Sequence, residues 1–223
     1  MTKLILGTAS FGSDYGIKHD GQPSERELEH IARTAWDGGI RVIHTAWHYN
    51  LPNIWKAIFS EFEWMIKDTH PEYFEWNGRM GLSVYSPEEI QEFDGEVDML
   101  QIPVNILDGR FKYHKFHPTW TVIARSVFLQ GLLLMDKWPE WIRGDSRFTL
   151  RRFKEACIVH NLQPYEAALG YVLGLYEIDL VIVGVNSAKQ LEQLIAVKPL
   201  KWDYDFSITD ENVLDPRRWP KEC

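Results

Sequence analysis

Short apolar runs alternate with longer amphipathic stretches along most of this chain, the pattern of strands alternating with helices. Leu4 to Leu6 form the first run, which stops at Gly7. A glycine-rich loop, "GTASFGSDYGI", leads to "SERELEHIARTAWDGG", where Leu28, Ile31, Ala32, Ala35 and Trp36 fall on one helical face. Ser24 and Glu27 have the spacing of a capping box, and Gly38 and Gly39 supply the stop. "IRVIHTAWHYN" then reads as a buried strand over 40–46 running into a polar, aromatic loop. Strand, helix and strand make a βαβ unit, whose strands lie parallel through a right-handed crossover.

The unit recurs. "GLSVYSPEEIQEF" is a strand into a helix, with Ser86, Pro87 and Glu89 placed as cap, first helical residue and box partner. "VDMLQIPVN" and "TVIARSVFL" are apolar strands, and "IDLVIVGV" is apolar throughout, as a buried parallel strand should be. "FTLRRFKEACIVHN", "PYEAALGYVLGLY" and "SAKQLEQLI" are helical, the last opened by Ser187 with Gln190 closing a box. Repeated strand–helix units define an α/β protein with a parallel sheet covered by helices. The first turn lacks a GxGxxG, which weighs against a doubly wound sheet. Polar residues crowding several strand ends favour a (β/α)8 barrel of the TIM type.

Length narrows this picture. At 223 residues the chain is short for such a barrel. Between "EFEWMIKDTHP", read as the third strand region, and "NGRMGLSVYS" there is no room for a full helix–strand–helix passage. The expectation is a barrel shortened by about one strand–helix unit. No linker or low-complexity run divides the chain, so residues 1–223 read as one domain, with 199–223 as an arm packed over the barrel.

Charge and composition exclude some functions. A net charge of −8 is the wrong sign for a general nucleic-acid binder. No apolar stretch is long enough to span a bilayer, and the opening run is too short for a signal peptide. A cytoplasmic protein, monomeric or weakly self-associating, is the default expectation. The two cysteines, Cys157 and Cys223, form no CxxC or disulfide pattern. The 10 tryptophans read chiefly as core fillers, although rings such as Trp47 and Trp55 could line a cleft. His114 and His117 in "YHKFHP" offer only two metal ligands, so that segment reads as a polar loop.

Six segments in order resemble the aldo-keto reductases. They are "LILGTASFGSDYGI", "HTAWHYN", "GLSVYSPEE", "LQIPVNILDGRF", "ARSVFLQGLLLM" and "VIVGVNSAKQLEQLI". The resemblance implies a barrel binding NADPH, or less often NADH, and reducing a small carbonyl compound: an aldehyde, a ketone or a sugar. It puts Tyr49 at the position of the proton donor. It puts Lys67, at the end of the third strand, at the position of the lysine that lowers the donor's pKa. The aspartate that holds this lysine is replaced by His44. His70 could take the place of the family histidine only if "WMIKDTH" were the fourth strand.

The resemblance also implies cofactor contacts. Ser83 and Gln101 match positions that hold the nicotinamide carboxamide, and Arg125 takes the place of a stacking aromatic residue. Ser126 and Gln130 would lie along the pyrophosphate. The loop Gly184, Val185, Asn186, Ser187 precedes a helix, where open N–H groups and the helix dipole favour a phosphate on physical grounds. Gln190, with Lys189 beside it, stands where a cation often meets the 2′-phosphate, and Gln193-Leu194 replaces an adenine-binding pair. With His44 for aspartate, a second expectation stands beside the first: a barrel that binds a nucleotide, carbohydrate or protein without turnover.

Overall fold

The computed structural model describes residues 3–12, 15–17, 21–47, 49, 54–67, 73–91, 93 and 96–220. Eight strands close into a barrel in chain order. They are β1 (Leu4–Gly7), β2 (Val42–Ala46), β3 (Glu63–Lys67), β4 (Tyr73–Trp76), β5 (Arg79–Ser83), β6 (Met99–Pro103), β7 (Thr121–Arg125) and β8 (Leu180–Gly184). β1 and β8 pair from Leu4↔Val181 to Gly7↔Gly184 and close the ring. The helices are α1 (Glu25–Asp37), α2 (Trp55–Ile58), α3 (Pro87–Gln91), α4 (Gly144–Val159), α5 (Pro164–Leu173), α6 (Ala188–Ala196) and α7 (Glu211–Leu214). The (β/α)8-type barrel expected from the repeat is therefore present.

The shortening takes a particular form. β4 runs antiparallel to both β3 and β5, while every other neighbouring pair is parallel. A parallel crossover needs a dozen or more residues, and too few lie between Lys67 and Arg79 for two of them. A reversed strand needs only turns. Asn77 and Gly78, at φ 52° and 74°, make the tight turn into β5. The barrel thus keeps its eight strands, and among the described residues no helix lies between β3 and β5.

Packing inside the barrel accommodates the reversed strand. Phe74 joins Ile5, Met65, Met99 and Ile123 in the buried interior layer. Its register partner is Gly81, where an added Cβ would overlap the Phe74 ring. Gly81→Ala is expected to cost about 1–3 kcal/mol, because the ring would have to leave its rotamer or push β5 outward. Urea denaturation of the single variant and of Gly81→Ala with Phe74→Leu checks this. The smaller side chain should recover part of the loss, and an unchanged midpoint for Gly81→Ala would contradict the packing.

A second layer lies between strands and helices. Leu28, Ile31 and Ala35 of α1 pack there with Phe11, Trp55 and Phe59, whose rings meet within 4.9–6.3 Å. Trp55 is therefore a core residue of this layer. Cys157 is buried on α4, and burial pushes its thiol up to about 11. Asn161, at φ 52°, ends the α4 segment in the left-handed region. Among the described residues no helix is long and apolar enough to cross a membrane.

The chain after Pro199 is anchored at both ends of its path. Leu200 N–H donates to Gly170 O and Trp202 Nε1 to Ala167 O on α5. Ile208 bridges Asp108 in the loop after β6. This route brings the single turn Pro216–Arg218 to the barrel mouth.

Candidate active site

The period of two along a strand builds the site. Two residues beyond the apolar interior layer, the same faces of the strands carry Gly7, His44, Lys67, Ser83, Gln101, Arg125 and Gly184. Strand polarity puts this layer at the C-terminal mouth, where α/β barrels hold their chemistry. Polar side chains come from β2, β3, β5, β6 and β7. On the other side the paired glycines of β1 and β8 leave the floor bare. A cavity of about 1190 Å³ opens above it, lined among others by Tyr15, His44, Tyr49, Lys67, Gln101 and Arg125. It continues past Ser126 and Gln130 and over Gly184 to Asn186 and Gln190.

A hydrogen-bonded chain ties four of these side chains together. Lys67 Nζ donates to Ser83 Oγ at 3.3 Å, Ser83 Oγ donates to Gln101 Oε1 at 3.2 Å, and Gln101 Nε2 meets His44 Nε2 at 3.0 Å. An ammonium can only donate, and this sets the polarity of the whole chain. Ser83 must accept from Lys67 and pass its own proton on, so the oxygen of Gln101 faces Ser83 and its NH2 faces His44. Nε2 of His44 is then an acceptor, and the neutral ring carries its proton on Nδ1. Burial, reinforced by the nearby charges of Lys67 and Arg125, lowers the His44 pKa to about 3. His44 therefore stands at the expected strand end as a neutral base, without the negative charge of a carboxylate. Ser83 is buried and does not itself line the cavity; it reaches the cavity through Lys67 and Gln101.

Arg125 dominates the opposite wall. Its guanidinium lies 4.1 Å from the Tyr85 ring centroid and donates to Val84 O at 3.0 Å and Ser126 Oγ at 3.3 Å. Its Nε is buried with no partner among the described residues. Arg217, from the C-terminal segment, lies 3.5 Å from the same Tyr85 ring and is held by Asp215. Tyr15, Tyr85 and Arg217 are site residues that the sequence reading passes over. Tyr85 could have been found, since it lies two residues past the end of β5; nothing local marks Arg217, which arrives from far along the chain.

Tyr49 lines the cavity above His44's strand. Burial raises its pKa well above the ordinary phenol value, the phenols of Tyr15 and Tyr85 raise it further, and Arg125 opposes them. Lys67 ends β3, as the third-strand reading expects. Trp47, 70% exposed, is no core filler. His48 and His70 lie outside the described residues. His114 and His117 pack against aromatic neighbours, and the described residues contain no cluster of metal-ligating type.

The start of α6 departs in part from the expectation of open N–H groups, with three backbone donors engaged. Ser187 Oγ accepts from Gln190 N–H at 3.2 Å, as a cap should. Gln190 Oε1 accepts from Asn186 N–H at 2.7 Å, and Glu27 Oε1, on α1, accepts from Ala188 N–H at 2.7 Å. Gln190 and Ser187 thus serve the turn itself, and a carboxylate occupies a place where a phosphate was expected.

The barrel has the fold found in structures of aldo-keto reductases. The chain is similar to the glycerol dehydrogenase structure from Gluconobacter oxydans, with a TM-score of 0.59, 16% identity, and coverage of 94% of this chain and 88% of that one. It is similar also to the holo form of an aldo-keto reductase from Bacillus halodurans, with a TM-score of 0.59 and 14% identity, covering 89% and 88%. No protein-family model matches the sequence, and no curated protein matches it.

Proposed function

We propose that the protein is a carbonyl reductase that takes hydride from NADPH or NADH and reduces a small aldehyde, ketone or sugar. The observation that supports this most is the mouth layer. Five strands bring polar side chains to one side of a dinucleotide-sized cavity, and the Gly7–Gly184 pair leaves the other side bare. A flat ring fits over such a floor, and the orphaned Nε of Arg125 fits a site meant to receive a further polar group. Gln101 and Arg125 would hold the nicotinamide end, with Ser126 and Gln130 along the cavity beyond them. The bound cofactor supplies the hydride.

The chain's own residues supply the rest. Tyr49 donates the proton to the carbonyl oxygen, and its raised pKa keeps that proton in place across the working pH range. Lys67 and Arg125 make the mouth electropositive, which favours negative charge developing on that oxygen. His44 positions Gln101 by accepting from its NH2. A second reading, a binding barrel without turnover, is favoured by one feature: a neutral imidazole holds the place of the aspartate.

Loss of absorbance of NADPH and NADH with a panel of aldehydes and keto sugars tests the proposal. Turnover supports reduction. Dinucleotide binding by calorimetry without turnover on any carbonyl supports the second reading, and absence of both removes cofactor chemistry altogether.

A further inference from the structure

The start of α6 carries information about which dinucleotide the cavity accepts. Asn186 and Gln190 line the cavity, and Ala188 lies between these two along the chain, in the first turn of the helix. That turn would ordinarily attract a phosphate through its N–H groups and dipole. Here three of the backbone donors around this turn are engaged within the protein. Gln190 Oε1 takes the Asn186 N–H, Ser187 Oγ takes the Gln190 N–H, and the Glu27 carboxylate takes the Ala188 N–H at 2.7 Å. Glu27 reaches across from α1, which packs against α6. Only half of its predicted capping box forms: Ser24 Oγ accepts from Glu27 N–H, while the Glu27 carboxylate turns to the other helix. A charged acceptor on a helix N-terminus is favourable in itself, so the contact is stable without any ligand.

The geometry points to Glu27 as a specificity-determining residue that makes the cavity select NADH over NADPH. The inference rests on the proposed function, since it requires a dinucleotide whose adenosine end lies at α6. The 2′-phosphate of NADPH brings about −1.5 to −2 charges, as any phosphate monoester does near neutral pH. Set beside the first turn of α6, it would face the Glu27 carboxylate and find the Ala188 and Gln190 N–H groups already used. A ribose 2′-hydroxyl, by contrast, is neutral and can donate to a carboxylate, which is how acidic residues select NAD in other dinucleotide sites.

Equilibrium binding of NADH and NADPH by calorimetry, on the full chain and without substrate, tests this. The wild-type protein should bind NADH at least roughly tenfold more tightly than NADPH, with the gap narrowing as salt is raised. Glu27→Gln keeps an oxygen acceptor for the Ala188 N–H and removes only the charge. It should tighten NADPH and leave NADH nearly unchanged. Glu27→Ala removes both acceptor and charge, and a purely structural role for Glu27 would make it weaken both cofactors alike. Equal affinity for the two cofactors in the wild type, or a ratio unmoved by Glu27→Gln, would overturn the selectivity while leaving the reductase reading intact. Absence of binding by either cofactor would remove both.

Discussion

Tyr49→Phe is expected to lower kcat by roughly two to four orders of magnitude, the range of a lost general acid, with KM for the carbonyl compound little changed. The substitution removes one oxygen from the cavity wall and leaves the ring in place. Reduction would then have to protonate its alkoxide from water, at a site whose other strong donors are engaged. The pH profile gives an independent check. Burial and the phenols of Tyr15 and Tyr85 hold the Tyr49 proton on, against the opposing charge of Arg125. Its deprotonation should therefore cause no fall in kcat through the ordinary phenol range near pH 10. A variant retaining more than about a tenth of wild-type kcat would exclude Tyr49 as the donor.

The stability of the protein should fall in mild acid through His44. The imidazole pKa drops from 6.5 to about 3 on folding, first through burial and then through Lys67 and Arg125. Between these values the unfolded chain binds a proton that the native protein excludes, so stability rises with pH across this window. The contribution is fully present above pH 6.5 and is lost as pH falls toward 3. At pH 4.5 the loss amounts to about 3 kcal/mol, at 1.36 kcal/mol per pH unit below the unfolded value. His44→Gln offers a neutral oxygen where Nε2 stood and has nothing to protonate. Denaturant titrations at pH 7 and pH 4.5 should show the wild type losing this extra increment relative to the variant. Parallel pH curves for the two proteins would mean that His44 is not excluded from protonation.

The acid response and the reaction share one structural source. Lys67 fixes the direction of the chain through Ser83 and Gln101, and that direction makes Nε2 of His44 an acceptor. Protonating His44 would set an N–H against the NH2 of Gln101 and turn the amide that faces the cavity. Acid should therefore disturb cofactor binding in the same window in which it weakens the fold.

Much of the barrel was legible in local pattern. Apolar strands with polar ends, helix caps such as Ser24 and Ser187, and the stops at Gly38 and Asn161 depend on neighbours a few residues apart. The fourth strand was half legible. The spacing excluded a parallel passage, and Asn77-Gly78 is a strong hairpin signal, yet a repeat of parallel units gives no reason to expect a reversed member. Tyr49, Lys67, Gln101 and Arg125 could be named in advance through the resemblance to the aldo-keto reductases; polarity after an apolar run marked the strand ends but not these roles. Arg217 could not, since its neighbour in space is Tyr85.

The alternation of apolar and polar residues, set by the geometry of strand and helix, determined by itself that this chain makes a sheet of strand–helix units with polar strand ends. Two things were decided only when distant segments met. Ser83 and His44 act through Gln101 because a donor-only ammonium orders the chain between them. Glu27 caps α6 although its spacing assigns it to α1. In each case the deciding contact joins residues whose separation along the chain carries no local signal, and side-chain polarity or volume becomes decisive only once the fold has brought them within reach.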